Sequence, residues 1–216
     1  MATYRLRLEK EALSFSSAHF LTFNAAKCAR LHGHNYRVSV TVLGVANEDG
    51  YVIDFADLKQ IMSAICAELD HRVLVPSATP LVEIEPAGDD ALEVRFSGKS
   101  YRFPREEVIL LPVPNTTAEC LASWINGRLV EELAVELHVS LETIEIEVEE
   151  SPGQSAAASI LFPRSTTRED NTNGHIGERG EETGATVRSG AHGRELPREA
   201  REGPEESAGG ERSRLV

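Results

Sequence analysis

Between Tyr36 and Val42 the chain reads Tyr-Arg-Val-Ser-Val-Thr-Val, with apolar residues on the even positions and polar ones on the odd. A period of two in β-branched residues predicts a half-buried strand. The same pattern places strands near 3–18 and 34–45. The Asn47-Glu48-Asp49-Gly50 turn then leads to a helix from about Asp54 to Leu69, with Phe55, Leu58, Ile61, Met62, Ile65 and Leu69 on one face. Residues 76–113 read as irregular, apart from a hairpin in which Leu92–Phe96 and Tyr101–Phe103 flank Ser97-Gly98-Lys99-Ser100. A second helix starts at Thr116, where Thr116-x-x-Glu119 is spaced as a capping box. It runs through Leu121, Trp124, Ile125, Leu129 and Leu133 to about His138. Strands follow at Thr143–Glu149 and about 156–162. The order β-β-α-(insert)-α-β-β predicts an α+β fold.

Strand geometry gives three histidines a chemical meaning. Residues i and i+2 of a strand share a face, so His32 and His34 present two imidazoles together. His19 sits in a second strand-like run, and antiparallel pairing of the two runs would bring it beside them. Three imidazole nitrogens from one side leave one tetrahedral position open, as catalytic zinc requires. The plainer alternative is three polar residues on a sheet rim.

Charge narrows the partners. The 216 residues carry 35 acids against 22 bases, a net charge of -13, which argues against a nucleic-acid footprint. No apolar run is long enough to span a membrane, and Met1-Ala2-Thr3-Tyr4-Arg5 lacks a signal-peptide core. Cys28, Cys66 and Cys120 are odd in number and unlike in context, so a reducing cytoplasm is expected. Cys66 and Cys120 read as small hydrophobes on helix faces.

After Phe162 the composition changes. Residues 164–216 hold nine arginines, eleven acids and nine of the sixteen glycines. Such a segment buries too little apolar surface to offset the entropy of ordering, so a disordered mixed-charge tail is expected, with the folded domain at 1–163. His175 and His192 fall in the tail and are not expected to be ligands. His138 is explained by the negative end of the second helix.

Three further groups invite a chemical reading. Cys28 lies shortly before His32, and near a cation its thiol would ionise more readily and could exchange protons. Alternatively it is a loop cysteine. Asp70-His71 closes the first helix: a carboxylate that orients an imidazole, or a helix cap. Glu150 falls by parity on the inward side with Ile144, Ile146 and Val148, and an inward carboxylate at a strand end needs a partner.

These residues, taken together, resemble the 6-pyruvoyltetrahydropterin synthase / 6-carboxytetrahydropterin synthase family. The matching strings are Phe15-Ser16-Ser17-Ala18-His19, Lys27-Cys28-x-x-x-His32-Gly33-His34-Asn35-Tyr36, Gly50-x-Val52-x-Asp54-Phe55-x-x-Leu58-Lys59, Leu69-Asp70-His71, Thr117-Ala118-Glu119 and Glu150-Ser151. They cover about residues 4–162 without the 76–113 insert.

The resemblance implies a tunnel fold, a four-stranded antiparallel sheet with two helices on one face, assembled into a homotrimeric or homohexameric barrel. It implies Zn2+ on His19, His32 and His34, and a proton-moving set of Cys28, Asp70 and His71. Glu150 would anchor the pterin by a two-oxygen grip, with Thr117 also at the substrate. The short Cys28-x3-His32 spacing resembles the carboxytetrahydropterin-forming branch of queuosine-type biosynthesis, with 7,8-dihydroneopterin triphosphate as substrate. The alternatives are the pyruvoyl-forming reaction, aldolase-like side-chain removal, a non-catalytic pterin- or purine-binding protein, and a zinc-structured interaction protein. Thr116, Cys120 and Leu74-Val75 depart from the family's usual proline, asparagine and Leu-Asn.

Overall fold

The computed structural model describes residues 2–23, 30–136 and 140–163. Cys28, His138, His175, His192 and the expected tail at 164–216 lie outside the described residues. Strands β1 (Thr3–His19) and β2 (His32–Val45) are followed by helix α1 (Phe55–Leu69). Then come β3 (Arg72–Pro76), β4 (Glu83–Pro86), β5 (Ala91–Phe96), β6 (Lys99–Pro104) and β7 (Val108–Leu111). Helix α2 (Ala118–Glu136), β8 (Leu141–Ser151) and β9 (Gln154–Leu161) are the last elements among the described residues.

The expected four strands form an antiparallel group, β1-β2-β8-β9. The sheet is nevertheless larger than four strands, because β3 and β7 extend it in parallel to give the order β7-β3-β1-β2-β8-β9. Their short apolar runs, Val73-Leu74-Val75 and Val108-Ile109-Leu110-Leu111, satisfy backbone groups that the β1 edge would leave unpaired. The segment read as irregular is thus ordered: it also holds the β4-β5-β6 sheet, in which the expected hairpin pairs Leu92 with Phe103 and Phe96 with Lys99.

One sheet face carries the main core. Tyr36, Val38, Val40 and Val42 from β2, Ile144, Ile146 and Val148 from β8, and Leu58, Met62, Ile65, Leu121, Ile125 and Leu129 from the helices form one buried cluster. Both helices therefore pack on this face, while Arg7, Glu147 and Ser39 are bonded to one another on the other. Asp54 caps α1 by accepting the Ala56 N–H at 2.7 Å. Two local expectations change. Phe55, at the first turn, is 51% exposed instead of in the core. The α2 cap is Thr117, whose Oγ1 accepts from Cys120 N at 3.3 Å, because Thr116 is buried and bonded elsewhere.

Strand β1 contains an irregularity that decides the site. Glu9 pairs with Ser39 and Ser14 with Arg37, so β1 advances five residues while β2 advances two. An odd excess exchanges the faces of a strand. Before it, Leu6 and Leu8 pair with Val42 and Val40 on the core side; after it, Phe15, Ser17 and His19 pair with Tyr36, His34 and His32.

Candidate metal centre and active site

Register alone assembles the three imidazoles. His19 lies directly opposite His32 at the open end of the β1-β2 pair, and His34 follows two residues along the same face. Gly33 lets the strands approach, since a Cβ there would meet the Ser17 main-chain oxygen at 3.2 Å. Ring centroids are 4.6 Å apart for His19–His32, 5.2 Å for His19–His34 and 5.0 Å for His32–His34.

Glu150 joins them from β8. One position past the Arg37–Glu149 pair, it brings Oε1 to 2.9 Å from His34 Nε2 and 3.9 Å from His19 Nε2. One ligand atom from each of the four residues lies within 4.8 Å of the others, a group that could hold a metal ion. Inward parity and the need for a partner were legible in the sequence; the partner's identity was not.

Hydrogen bonds prepare the nitrogens for a metal. A main-chain carbonyl only accepts, so His19 Nδ1–H donates to Thr116 O at 2.9 Å and His32 Nδ1–H donates to Arg30 O at 2.7 Å. Each bond leaves the opposite nitrogen, Nε2, unprotonated, and such a bond is the usual second support of a metal-ligating imidazole. His34 Nε2 is buried and makes no hydrogen bond; Glu150 Oε1 is near but out of line for one. An orphaned buried nitrogen is costly, and a metal ion would satisfy it. These donors fit a divalent cation of the zinc type.

Electrostatics agree. Burial, reinforced by His32 and His34, lowers the His19 pKa to about 4 although the Thr116 bond opposes the shift. His19 is therefore neutral near pH 7, the form that ligates. Sequence reasoning missed Tyr36, whose hydroxyl is 3.3 Å from both ring nitrogens of His19. Burial first, then the Glu150 charge, push its pKa well above the usual phenol value, so it remains a donor. Its position two residues after His34 on the same face was the available signal.

Asp70 and His71 stand at a neighbouring turn and combine both readings of the pair. Asp70 caps α1, with its backbone N–H on Cys66 O. Its carboxylate accepts the Ser16 N–H at 2.7 Å and lies 2.8 Å from His71 Nδ1. The Ser16 bond, followed by His71, holds Asp70 below the ordinary carboxylate range. His71 has φ 55°, donates its N–H to Ser16 O at 2.8 Å and leaves its ring exposed. An open groove of about 440 Å³ lies beside His71, lined by Ser16, Gly33, Asn35, His71 and Glu107, and His34 is the one candidate ligand that borders it. Thr117 sits at the α2 cap. Cys66 is buried and its thiol is pushed up to about 12 by burial, then by Asp70, so it is inert as a nucleophile.

Known proteins resemble this chain in sequence and in fold. The profile of the family described as 6-pyruvoyl tetrahydropterin synthase matches residues 7–159. A Methanocaldococcus jannaschii protein, provisionally named a 6-carboxy-5,6,7,8-tetrahydropterin synthase, is 38% identical over 145 residues, 67% of this chain and 88% of its own length. The 6-carboxy-5,6,7,8-tetrahydropterin synthase of Haemophilus influenzae is 39% identical over 127 residues, 57% of this chain and 81% of its own. The crystal structure of 6-pyruvoyl tetrahydropterin synthase from Plasmodium vivax superposes with a TM-score of 0.70 at 31% identity, covering 75% of this chain and 100% of that one. No helix among the described residues is long and apolar enough to cross a membrane. A profile match over most of the described chain, with relatives aligned along most of their own length, makes this protein a member of the 6-pyruvoyl tetrahydropterin synthase family.

Proposed function

We propose that the chain is a zinc-dependent 6-carboxy-5,6,7,8-tetrahydropterin synthase acting on 7,8-dihydroneopterin triphosphate in queuosine-type deazapurine biosynthesis. With one water, the products would be 6-carboxytetrahydropterin, acetaldehyde and triphosphate. The observation that carries the reading is the convergence of His19, His32, His34 and Glu150 into one group of ligand atoms, with the Asp70-His71 pair bonded to Ser16 on the strand that carries His19. The Cys28-x3-His32 spacing and the names of the bacterial and archaeal relatives favour the carboxy-forming branch.

Zinc on His19, His32 and His34 would supply Lewis acidity toward the side-chain oxygens of the pterin. The protein residues then divide the remaining work. The Glu150 carboxylate accepts from the ring N–H and exocyclic amine of the pterin and sets its orientation. Asp70 holds the His71 ring by its Nδ1, leaving Nε2 free to take or give a proton in the groove. Cys28 would move the second proton. The working assembly would be a cytoplasmic homotrimer or homohexamer, whose closure into a barrel covers the edges at β7 and β9.

Product analysis by mass spectrometry tests the reading. Dihydroneopterin triphosphate should give 6-carboxytetrahydropterin with equimolar acetaldehyde. A 6-pyruvoyl product would move the chain to the triphosphate-eliminating branch. Tight pterin binding without turnover would make it a binding protein.

A further inference from the structure

The insert meets the rest of the fold beside the metal ligands. Its sheet builds a second small core from Val82, Leu92, Val94 and Phe96, closed by Val75 and Val108. Phe20 is fully buried in that core, and Leu31 packs against it. Phe20 immediately follows His19, and Leu31 immediately precedes His32. Thus both strands of the β1-β2 pair are attached to the insert, at the end where His19 faces His32, within one residue of a candidate ligand.

Phe20 is gripped from two sides. Its ring stacks on Phe96, with centroids 5.3 Å apart and planes 16° apart, and lies 6.2 Å from Tyr101 at 13°. Its main-chain oxygen accepts from Thr116 Oγ1 at 3.1 Å. The Thr116 main-chain oxygen in turn accepts from His19 Nδ1 at 2.9 Å. Ring stack, hydroxyl and imidazole form one closed circuit, His19–Phe20–Thr116, whose outer wall is Phe96. A mere stabilising appendage could attach anywhere on the surface; this one attaches at the residues next to two candidate ligands.

We propose that the insert positions the metal centre, with Phe96 acting through Phe20 to fix the His19 imidazole. The inference rests on the metal-site reading above. Groups that orient a ligating imidazole govern metal affinity by about 10–100-fold when removed. Phe96 touches neither metal nor substrate in this scheme; it is a positioning residue.

The test uses cobalt(II) alone as the probe of the full chain, read by chelator competition and by the visible absorption bands of the bound ion. Phe96→Ala should weaken cobalt affinity by about tenfold or more and alter the bands. Phe96→Leu restores most of the buried volume, so it should recover much of the affinity. Ile84→Ala serves as the control, because Ile84 packs against the same small core but is outside the ring stack on Phe20. It should lower the melting temperature while keeping the wild-type bands and affinity. Wild-type bands and affinity in both Phe96 variants would overturn the proposal. So would an equal loss in Ile84→Ala, which would reduce the effect to general stability. If Phe96→Ala does not fold, Phe96→Leu carries the decision, with a loss of a few-fold expected and no change overturning it. Failure of the wild-type chain to bind cobalt would instead remove the metal-site reading itself.

Discussion

His19 Nδ1 lies 2.9 Å from the main-chain oxygen of Thr116, joining a strand end to the start of α2 across 97 residues of sequence. The bond fixes which ring nitrogen carries the proton, and so which one is free to bind a metal. Loss of a ligand from this set has a direct consequence. Purified protein should carry about one zinc per chain, and His32→Ala should lose most of the metal together with activity. Full zinc in His32→Ala by elemental analysis would take His32 out of the site.

Acid should destabilise the metal-free protein through His19. The unfolded side chain takes up its proton near 6.5, whereas the folded one resists until about 4. Between these values the unfolded state binds more protons, so stability is complete above about pH 6.5 and falls as pH drops toward 4. The loss is on the order of 3 kcal/mol for a fully buried ring. Urea unfolding of chelator-treated protein at pH 7 and pH 4.5 measures it, and His19→Gln should flatten the difference. An equally steep fall in that variant would assign the effect elsewhere. Asp70 acts in a separate window: with its pKa below the ordinary value of 3.8, its contribution disappears only at lower pH.

Cys28 and Glu150 should fail differently. Glu150→Ala removes a charged pair of acceptors, so pterin binding should weaken by about 1.5–3 kcal/mol. Cys28→Ala removes a group used mainly in the transition state, so turnover should drop strongly while pterin affinity stays within a few-fold. One titration and one rate assay on each variant distinguish them. Wild-type turnover in Cys28→Ala would end its role as a proton carrier.

The edges of the six-stranded sheet make a claim about assembly. Among the described residues β7 and β9 each have one neighbour in the sheet, and Leu110 and Leu161 near their ends are 38% and 77% exposed. A trimer or hexamer would cover them. Light scattering at micromolar concentration should give one of these masses; a monomer would contradict the barrel.

Much of this protein is a local matter and is legible in the chain. The i, i+2 spacing of His32 and His34, the apolar period of α1, and the inward parity of Ile144, Ile146, Val148 and Glu150 follow from strand and helix geometry without knowledge of any partner. The ordered strings that resemble the family are likewise legible in the chain, as a resemblance and not from geometry. What only the tertiary structure decided is how separate strands meet. The face of His19 depends on how many extra residues β1 carries between Glu9 and Ser14, a property of pairing with β2 that no period within β1 reveals. The same holds for Glu150 reaching His34, for Thr116 giving its carbonyl to His19 instead of capping α2, and for the apolar runs at 73–75 and 108–111 entering the sheet. Each depends on which unpaired backbone or side-chain group lies across the gap, and that is settled only when distant segments pack.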